Sequence, residues 1–228
     1  MTFKDFKNKV LFYFWNFKNL SYSQEGEDMI IKRFYEDYKI SGHFYVDVGA
    51  HHPKRFSNTY RFYKKGWRGI NIDATPGSMT LFKLWRRRDI NLELGITAKH
   101  ETLTFYIFND PALNGFHQEI SEAREGDRYY VVDKKEINTY PLKDVLEKHL
   151  PKNQLIDFMS IDVEGKDFEV IKSNDWQKFR PGLLLIEVLF NSYEQIQATE
   201  SHQFLVSMNY SLYAKTVNTL FYKDNELI

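Results

Sequence analysis

Two short apolar runs, each with an acid near its carboxyl end, constrain the fold of this chain most strongly. Residues 44–48 form a β-branched and aromatic run that contains Asp47, and Gly49 then lets the chain turn tightly. Residues 68–73 repeat this design and end in Asp73. An acid at the carboxyl end of a buried strand is unfavourable unless it meets a donor or a ligand. Both acids are therefore expected at a binding site.

The spacing of these two runs indicates the kind of ligand. Asp73 lies 24 residues after Gly49, close to the spacing at which an acid reaches ribose hydroxyls in nucleotide-binding α/β folds. The turn at 49–54 holds only the first of the three glycines of a dinucleotide fingerprint, and Pro53 stiffens it. A pyrophosphate cradle is therefore not expected, and a Walker loop is absent. An adenosine cofactor without phosphate, S-adenosylmethionine, fits this pattern better.

The order of the remaining segments predicts an α/β fold. Strands that alternate with helices form a parallel sheet with right-handed crossovers. Seven strands that end in a C-terminal hairpin predict a Rossmann-like, doubly wound sheet of the methyltransferase type. The predicted strands of this sheet lie at 44–48, 68–73, 90–96, 156–162, 183–188, 211–215 and 218–222, and the helices lie at 29–38, 59–65, 79–87, 168–174 and 194–208.

Two segments lie outside this repeat. Residues 1–20 are predicted to form an N-terminal amphipathic helix, which precedes a single domain at 21–228. Residues 97–141 are predicted to be a β-rich insertion or lid, with strands at 102–108, 129–132 and 135–140. Long insertions in compact domains often carry function, so substrate specificity is expected to depend on this one.

The N-terminal segment allows two interpretations. Its apolar residues recur at helical spacing with lysines between them, and they are Phe3, Phe6, Val10, Phe14 and Phe17. A basic amphipathic helix can lie on a membrane surface. It can equally pack its aromatic face on the domain or on a second copy of the chain, and this interpretation is favoured because most amphipathic helices do so.

The composition excludes several classes of function. The 228 residues include 31 basic and 31 acidic side chains, and this zero net charge does not indicate a nucleic-acid partner. The basic run at 83–88 is therefore interpreted as a solvated helix end or a site for an anionic substrate. The chain has no Cys, which excludes thiolate chemistry and fits a reducing, cytoplasmic compartment. No apolar stretch is long enough for a transmembrane helix, so any membrane association is expected to be peripheral, at the inner face.

Acids at the ends of the later strands are the predicted catalytic groups. The ligand of a doubly wound sheet lies beyond the carboxyl ends of the strands, where Asp162, Glu164 and Glu187 are expected to meet. His51 and His52 are expected to enter the same crevice from the first strand. Such groups can act as a general base toward a substrate hydroxyl, or bind a divalent cation such as Mg²⁺. Each acid can alternatively be a helix cap or a salt-bridge partner.

Several motifs in order give the chain a resemblance to a known family. The motifs are Ser-Gln-Glu-Gly-Glu-Asp at 23–28, Tyr-Val-Asp-Val-Gly-Ala-His-His-Pro at 45–53, Ser-Asn-Thr at 57–59, Gly-Trp-Arg-Gly-Ile-Asn-Ile-Asp at 66–73 and Ser-Ile-Asp-Val-Glu-Gly at 160–165. Across residues 21–190 the chain resembles the FkbM-type methyltransferases. The resemblance implies a Rossmann-like fold, S-adenosylmethionine as methyl donor and, usually, O-methylation of sugars or polyketides.

The same resemblance implies roles for individual residues. By matching position, Asp47, Gly49 and Asp73 are expected to contact the cofactor. Further residues expected near the cofactor are Gln24, Asn58 and Asp162. Asp73 stands where the family often has Glu, and the shorter acid still reaches a ribose.

Together these observations predict an S-adenosylmethionine-dependent O-methyltransferase acting on a sugar or glycan hydroxyl. Glu164, Asp162 or His52 is the expected base, and Asp162, Glu164 and Glu187 are the expected ligands of any divalent cation. Three alternatives stay open. They are an N-methyltransferase of a small amine, a non-catalytic nucleotide- or glycan-binding module of the same fold, and a scaffold docked on a membrane through residues 1–20.

Overall fold

The computed structural model describes residues 19–38, 43–119, 122, 126–188 and 192–226. Most of the N-terminal helix predicted at 1–20 therefore lies outside the described residues. Within the described ranges, no helix is both long and apolar enough to cross a membrane.

A seven-stranded sheet forms the centre of the molecule, and this confirms the predicted fold class. The strands of the chain are β1 (Phe44–Val48), β2 (Arg68–Asp73), β3 (Ile90–Glu93), β4 (Gly95–Ile96), β5 (Glu101–Phe108), β6 (Val131–Tyr140), β7 (Phe158–Ile161), β8 (Leu183–Glu187), β9 (Tyr210–Lys215) and β10 (Thr219–Asp224). The central sheet has the order β3-β2-β1-β7-β8-β10-β9. The five neighbouring strands β3, β2, β1, β7 and β8 pair in parallel. Strand β10 is antiparallel to both of its neighbours, β8 and β9.

Helices cover both faces of the sheet. They are α1 (Glu27–Tyr38), α2 (Tyr60–Lys64), α3 (Met79–Trp85), α4 (Leu142–His149), α5 (Asp167–Lys172), α6 (Tyr193–Ala198) and α7 (Glu200–Ser207). The single helix predicted at 194–208 is in fact two helices. Thr199 has extended backbone angles that end α6, and its side chain accepts a hydrogen bond from the backbone N–H of His202 to begin α7.

The central strands are mostly apolar, as expected for strands whose two faces are both buried. On one face, Val46 and Leu184 belong to a core that includes buried side chains of α4 and α5. On the other face, Tyr45 and Phe158 pack in a second core with buried residues of α1. This double burial leaves the carboxyl ends of the parallel strands as the place where polar side chains can gather.

The inserted region forms a second sheet with the order β4-β6-β5. The strand predicted at 90–96 is divided at Leu94, whose backbone N–H donates to the Asp73 carbonyl, and the following residues join the second sheet. The two strands predicted at 129–132 and 135–140 form one strand, β6, along β5. The charged residues at 133–136 are exposed on β6, where Glu136 accepts a hydrogen bond from Thr104.

One residue of the basic run at 83–88 contradicts its predicted exposure. Arg86 is fully buried, and its guanidinium forms an ion pair with Asp89 at 2.9 Å. It also donates to the Tyr45 hydroxyl at 2.7 Å, to the Thr59 hydroxyl at 3.0 Å and to the Pro53 carbonyl at 3.0 Å. A buried guanidinium needs such partners, and these come from parts of the chain that are distant in sequence.

Candidate active site

A cavity of about 400 Å³ opens beyond the carboxyl ends of β1, β2, β7 and β8. Residues 110–116 of the insertion form part of its wall. The volume is in the range of ordinary small-molecule sites. It lies in the crevice where a doubly wound sheet binds its ligand, because the chain passes from β1 to β2 on one side of this point and from β7 to β8 on the other.

Asp73 lies at one end of the cavity and is held in a fixed orientation. Its Oδ2 accepts a hydrogen bond from the backbone N–H of His51 at 2.8 Å, and its Oδ1 accepts one from the backbone N–H of Thr75 at 2.7 Å. Each carboxylate oxygen retains a second acceptor site. The anchored acid can therefore accept two hydroxyl groups of a ligand such as a ribose.

The wall beside Asp73 is apolar and is completed by the insertion. Val48, Ile72, Leu94 and Ile96 line this part, which suits a flat heteroaromatic ring. The insertion is fastened here by Asn114, which donates to the Thr75 hydroxyl at 3.2 Å and accepts from the backbone N–H of Phe108 at 2.8 Å. In the sequence alone, the dipeptide Asn114-Gly115 is typical of a turn and does not indicate this contact.

Three acids meet at another part of the cavity, as their positions at strand ends predicted. Asp162, Glu164 and Glu187 each place a carboxylate oxygen within 4.8 Å of the others. Gly49 allows this arrangement, because its φ is +83° and a Cβ at this position would lie 1.7 Å from the Asp162 carbonyl oxygen. Glu164 itself has a positive φ of 55°, which is uncommon for a residue with a side chain.

Carboxyl groups in and beside the acid cluster have raised pKa values, so they hold their protons to a higher pH than usual. Solvent reaches Asp162 through the open cavity, yet protein atoms enclose most of its surroundings. This loss of hydration, together with the negative charges of Glu187, Asp167 and Glu164, raises the pKa of Asp162 well above its ordinary value. Burial also raises the pKa of Asp167 to about 6, although this carboxylate accepts hydrogen bonds from the loop that carries Glu164.

The loop before α1 brings Gln24 to the cavity. Asp28 organises this loop, because its carboxylate accepts hydrogen bonds from the Ser21 hydroxyl at 2.6 Å and from the backbone N–H of Tyr22 at 3.1 Å. Arg61 neutralises Asp28 at 3.0 Å. Gln24 lines the cavity as a result, in the region where the resemblance placed it.

Three residues for which a site role was predicted do not line the cavity. Asp47 is buried beneath it and accepts a hydrogen bond from Thr59 at 2.9 Å, and burial raises its pKa to about 6. Asn58 donates to the Ser160 hydroxyl at 3.0 Å. The Nδ1 atom of His52 accepts the backbone N–H groups of residues 54 and 55, at 3.1 and 2.9 Å. The geometry gives all three a supporting position, and their predicted contacts with cofactor or substrate stay predictions.

The neighbouring His51 lines the cavity in place of His52. His51 and Phe56 both have positive φ angles, 49° and 55°, and their rings stack with centroids 6.3 Å apart. The guanidinium of Arg55 lies 4.3 Å from the centre of the Phe56 ring, so this ring contacts both the imidazole and a cation at the cavity. Burial lowers the pKa of His51, which keeps its imidazole neutral at pH 7. The sequence showed adjacent histidines but not which of them faces the ligand.

Fold and site together define a class of protein. A seven-stranded sheet whose antiparallel final strand lies between β8 and β9, with an acid-lined cavity that lacks a phosphate cradle, is typical of S-adenosylmethionine-dependent methyltransferases. The family described as "Methyltransferase FkbM domain" matches residues 47–212. The chain therefore belongs to the FkbM methyltransferase family, and S-adenosylmethionine-dependent methyl transfer is its general activity.

Other comparisons add little to this assignment. Among solved structures, the chain is similar to precorrin-6y C5,15-methyltransferase from Geobacter metallireducens, with 11% sequence identity and a TM-score of 0.43. The similarity covers 85% of each chain. A comparison with curated protein sequences finds no significant match.

Proposed function

We propose that this protein is an O-methyltransferase that transfers the methyl group of S-adenosylmethionine to a hydroxyl of a sugar or glycan. The observation that supports this proposal is one continuous cavity with two distinct parts. One part holds the anchored acid Asp73 beside apolar side chains, and the other holds the cluster of Asp162, Glu164 and Glu187. The first part fits a nucleoside and the second fits a group that must lose a proton.

The residues of the cavity fit S-adenosylmethionine. The Asp73 carboxylate has acceptor sites for the two ribose hydroxyls, and Ile72 and Leu94 offer an apolar contact for adenine. The acid cluster attracts a cationic ligand, and the sulfonium and amino groups of the cofactor are cationic. When bound, the cofactor supplies an activated methyl group for transfer to a nucleophile.

The chain must position the acceptor hydroxyl and remove its proton. Glu164 and Asp162 line the cavity and are the carboxylates best placed for this task. A carboxylate whose pKa is raised, as that of Asp162 is, is a stronger base once it is deprotonated. The proton of the acceptor hydroxyl would pass to this cluster as the oxygen gains the methyl group. His51 adds a neutral imidazole to the same cavity.

The acid cluster also supports a proposal that a divalent cation such as Mg²⁺ binds there. Three carboxylate oxygens within 4.8 Å of one another suit a hard cation with oxygen ligands. A cation at this point would lower the pKa of an acceptor hydroxyl and thereby replace the need for a strong base. The two roles of the cluster predict opposite responses to added Mg²⁺.

The remaining lining supports a polar, ring-shaped acceptor. Phe56, Phe116 and Tyr129 offer aromatic faces, and flat apolar faces of sugar rings can pack on such surfaces. The acids nearby can accept hydrogen bonds from sugar hydroxyls. Arg55 lies among these residues and can donate to an oxygen-rich acceptor.

The test measures transfer of a labelled methyl group from S-adenosylmethionine to a panel of monosaccharides, oligosaccharides and small amines. Labelled sugar is the expected product. The Glu164→Gln variant should lose at least about a hundredfold in turnover, the lower range for removal of a general base. It should still bind S-adenosylhomocysteine. Glu147→Gln is the matched control, because Glu147 is an exposed residue of α4 that pairs with Lys178 outside the cavity.

The outcomes separate the alternatives. Labelled amine with no labelled sugar would replace O-methylation by N-methylation. Binding of S-adenosylhomocysteine without transfer to any acceptor of the panel would count against the sugar proposal. Full activity of Glu164→Gln would exclude Glu164 as the base. Repeating the assay with EDTA and then with Mg²⁺ tests the cation, because activity that EDTA leaves unchanged would exclude it.

A further inference from the structure

The positive charge of this chain is concentrated in one part of the sequence. Although the net charge of the chain is zero, residues 54–88 contain ten basic residues and a single acid, Asp73. That acid faces the cavity and accepts two backbone N–H groups. The basic residues are Lys54, Arg55, Arg61, Lys64, Lys65, Arg68, Lys83, Arg86, Arg87 and Arg88. The loop after β1, α2 and α3 therefore form a strongly cationic segment.

Helix α3 presents apolar side chains to solvent within this cationic segment. Met79 and Phe82 bury the inner side of the helix. On its outer side, Leu81, Leu84 and Trp85 are 44%, 53% and 49% exposed. Their spacing of three and four residues places them on one stripe of the helix. An exposed Trp with two exposed Leu on one short helix is unusual for a surface that faces only water.

Cations border this apolar stripe. Lys54 places its ammonium 2.9 Å from the centre of the Trp85 ring, and the Arg88 guanidinium lies 4.0 Å from the Tyr63 ring. Lys83 is exposed on α3 itself, and Arg87 is exposed just after the helix ends. In the part of the chain that the structure describes, none of these four cations forms an ion pair with an acid. We name the set of Lys54, Leu81, Lys83, Leu84, Trp85, Arg87 and Arg88 the α3 surface.

We propose that the α3 surface docks on the surface of a bilayer that contains anionic lipids. An apolar stripe with an interfacial Trp, bordered by Lys and Arg, matches the apolar and charged zones of such a bilayer. Nucleic acid would use the cations but would leave Leu81 and Leu84 exposed to water. Residues 54–56 connect this surface directly to the cavity, since Arg55 and Phe56 line it. Docking therefore brings the cavity close to the bilayer.

The proposal is tested with the full chain and sedimented vesicles of phosphatidylcholine, with and without phosphatidylglycerol. We expect binding only to the anionic vesicles, and weaker binding at high salt. Each cation near an anionic surface strengthens binding about fivefold, so Lys83→Gln/Arg87→Gln should bind about thirtyfold more weakly. The matched control is Lys152→Gln/Lys178→Gln, which removes the same charge from exposed residues outside 54–88.

A second pair of variants tests contact of the apolar stripe with lipid. Leu84→Ser/Trp85→Ser should weaken binding at least about tenfold, because two apolar side chains no longer enter the interface. Leu155→Ser is its control, since Leu155 is 78% exposed outside this surface. Trp85→Phe should bind like the wild type but lose tryptophan quenching by brominated lipid. Circular dichroism spectra and melting curves of every variant verify that it is folded.

Each contrary result overturns the proposal. Absence of wild-type binding to anionic vesicles would do so directly. Equal binding by the wild type and Lys83→Gln/Arg87→Gln would assign the membrane contact to another part of the chain, such as residues 1–20. Binding that Leu84→Ser/Trp85→Ser leaves unchanged would indicate charge attraction without an interfacial contact. Binding to a DNA duplex that depends on Lys83 and Arg87, without binding to vesicles, would identify a nucleic-acid surface instead.

Discussion

Replacing Asp73 by Asn tests the cofactor end of the cavity most directly. The carboxylate is anchored by two backbone N–H groups and is expected to accept ribose hydroxyls with its remaining acceptor sites. A hydrogen bond to a charged group contributes about 1.5–3 kcal/mol. Because Asn has no charge and one acceptor oxygen fewer, the Kd for S-adenosylhomocysteine in calorimetric titration should rise about tenfold to a hundredfold.

The same substitution should also lower stability by a calculable amount. The Asn side chain can accept only one of the two anchoring N–H groups, so the other is left unsatisfied at a cost of about 1–3 kcal/mol in the free energy of unfolding. Urea unfolding without ligand measures this loss separately from the loss of affinity. Titrations at a temperature well below the melting point keep the two effects apart.

Asp47→Asn is the matched control. Like Asp73, Asp47 is an acid near the carboxyl end of a strand, in this case β1, but it does not line the cavity. Its amide oxygen can still accept the Thr59 hydroxyl, so the affinity for S-adenosylhomocysteine should stay within about twofold of wild type. Unchanged affinity of Asp73→Asn would refute the ribose assignment. Weaker binding by Asp47→Asn would instead support the contact with the cofactor that the family resemblance implies for Asp47.

Three further predictions concern Arg86, Asp47 and His52. Arg86→Met should lower the free energy of unfolding by about 3–5 kcal/mol in urea denaturation, because the Asp89 carboxylate is left buried without its partner. The control Arg87→Met, at an exposed position, should change the free energy of unfolding by less than about 0.5 kcal/mol. Equal losses in the two variants would contradict the buried network. Burial raises the pKa of Asp47 from 3.8 to about 6, so ionisation of this group destabilises the folded state. The loss of stability grows as the pH rises from 3.8 to about 6 and is complete above that range. Asp47→Asn should therefore be more stable than wild type at pH 7, by on the order of 3 kcal/mol, and this gain should vanish below pH 4; a constant difference between the two unfolding curves would exclude this origin. His52→Ala should retain turnover, since its Nδ1 accepts only loop N–H groups, whereas lost turnover with intact cofactor binding would establish His52 as the base.

Much of the fold and part of the site could be predicted from local patterns. The runs at 44–48 and 183–188 are apolar except for Asp47 and Glu187 near their ends, which is characteristic of strands buried on both faces, and the structure places both in the centre of the sheet. Acids that follow such runs must lie at the carboxyl edge of a parallel sheet. For this reason Asp73, Asp162 and Glu187 could be assigned to one crevice before their distances were known.

Patterns failed where charge and backbone conformation depend on distant partners. The basic run at 83–88 has no local feature that distinguishes Arg86 from its neighbours, and its burial follows from Asp89, Tyr45 and Thr59 meeting at one point. The adjacent histidines differ in the same way. A positive φ turns His51 into the cavity wall, whereas His52 is retained by its own loop.

The sequence by itself determined most of the order of strands and helices, the acids at the strand ends and the class of cofactor, because each depends on residues close together in the chain. Only the tertiary structure decided which of those acids share a cavity and which lie beneath it. It also decided that the insertion supplies a wall through Asn114, and that α3 exposes Trp85 among cations. These features require segments that are distant in the chain to pack together, and side-chain packing of that kind leaves no periodic signal in a single sequence.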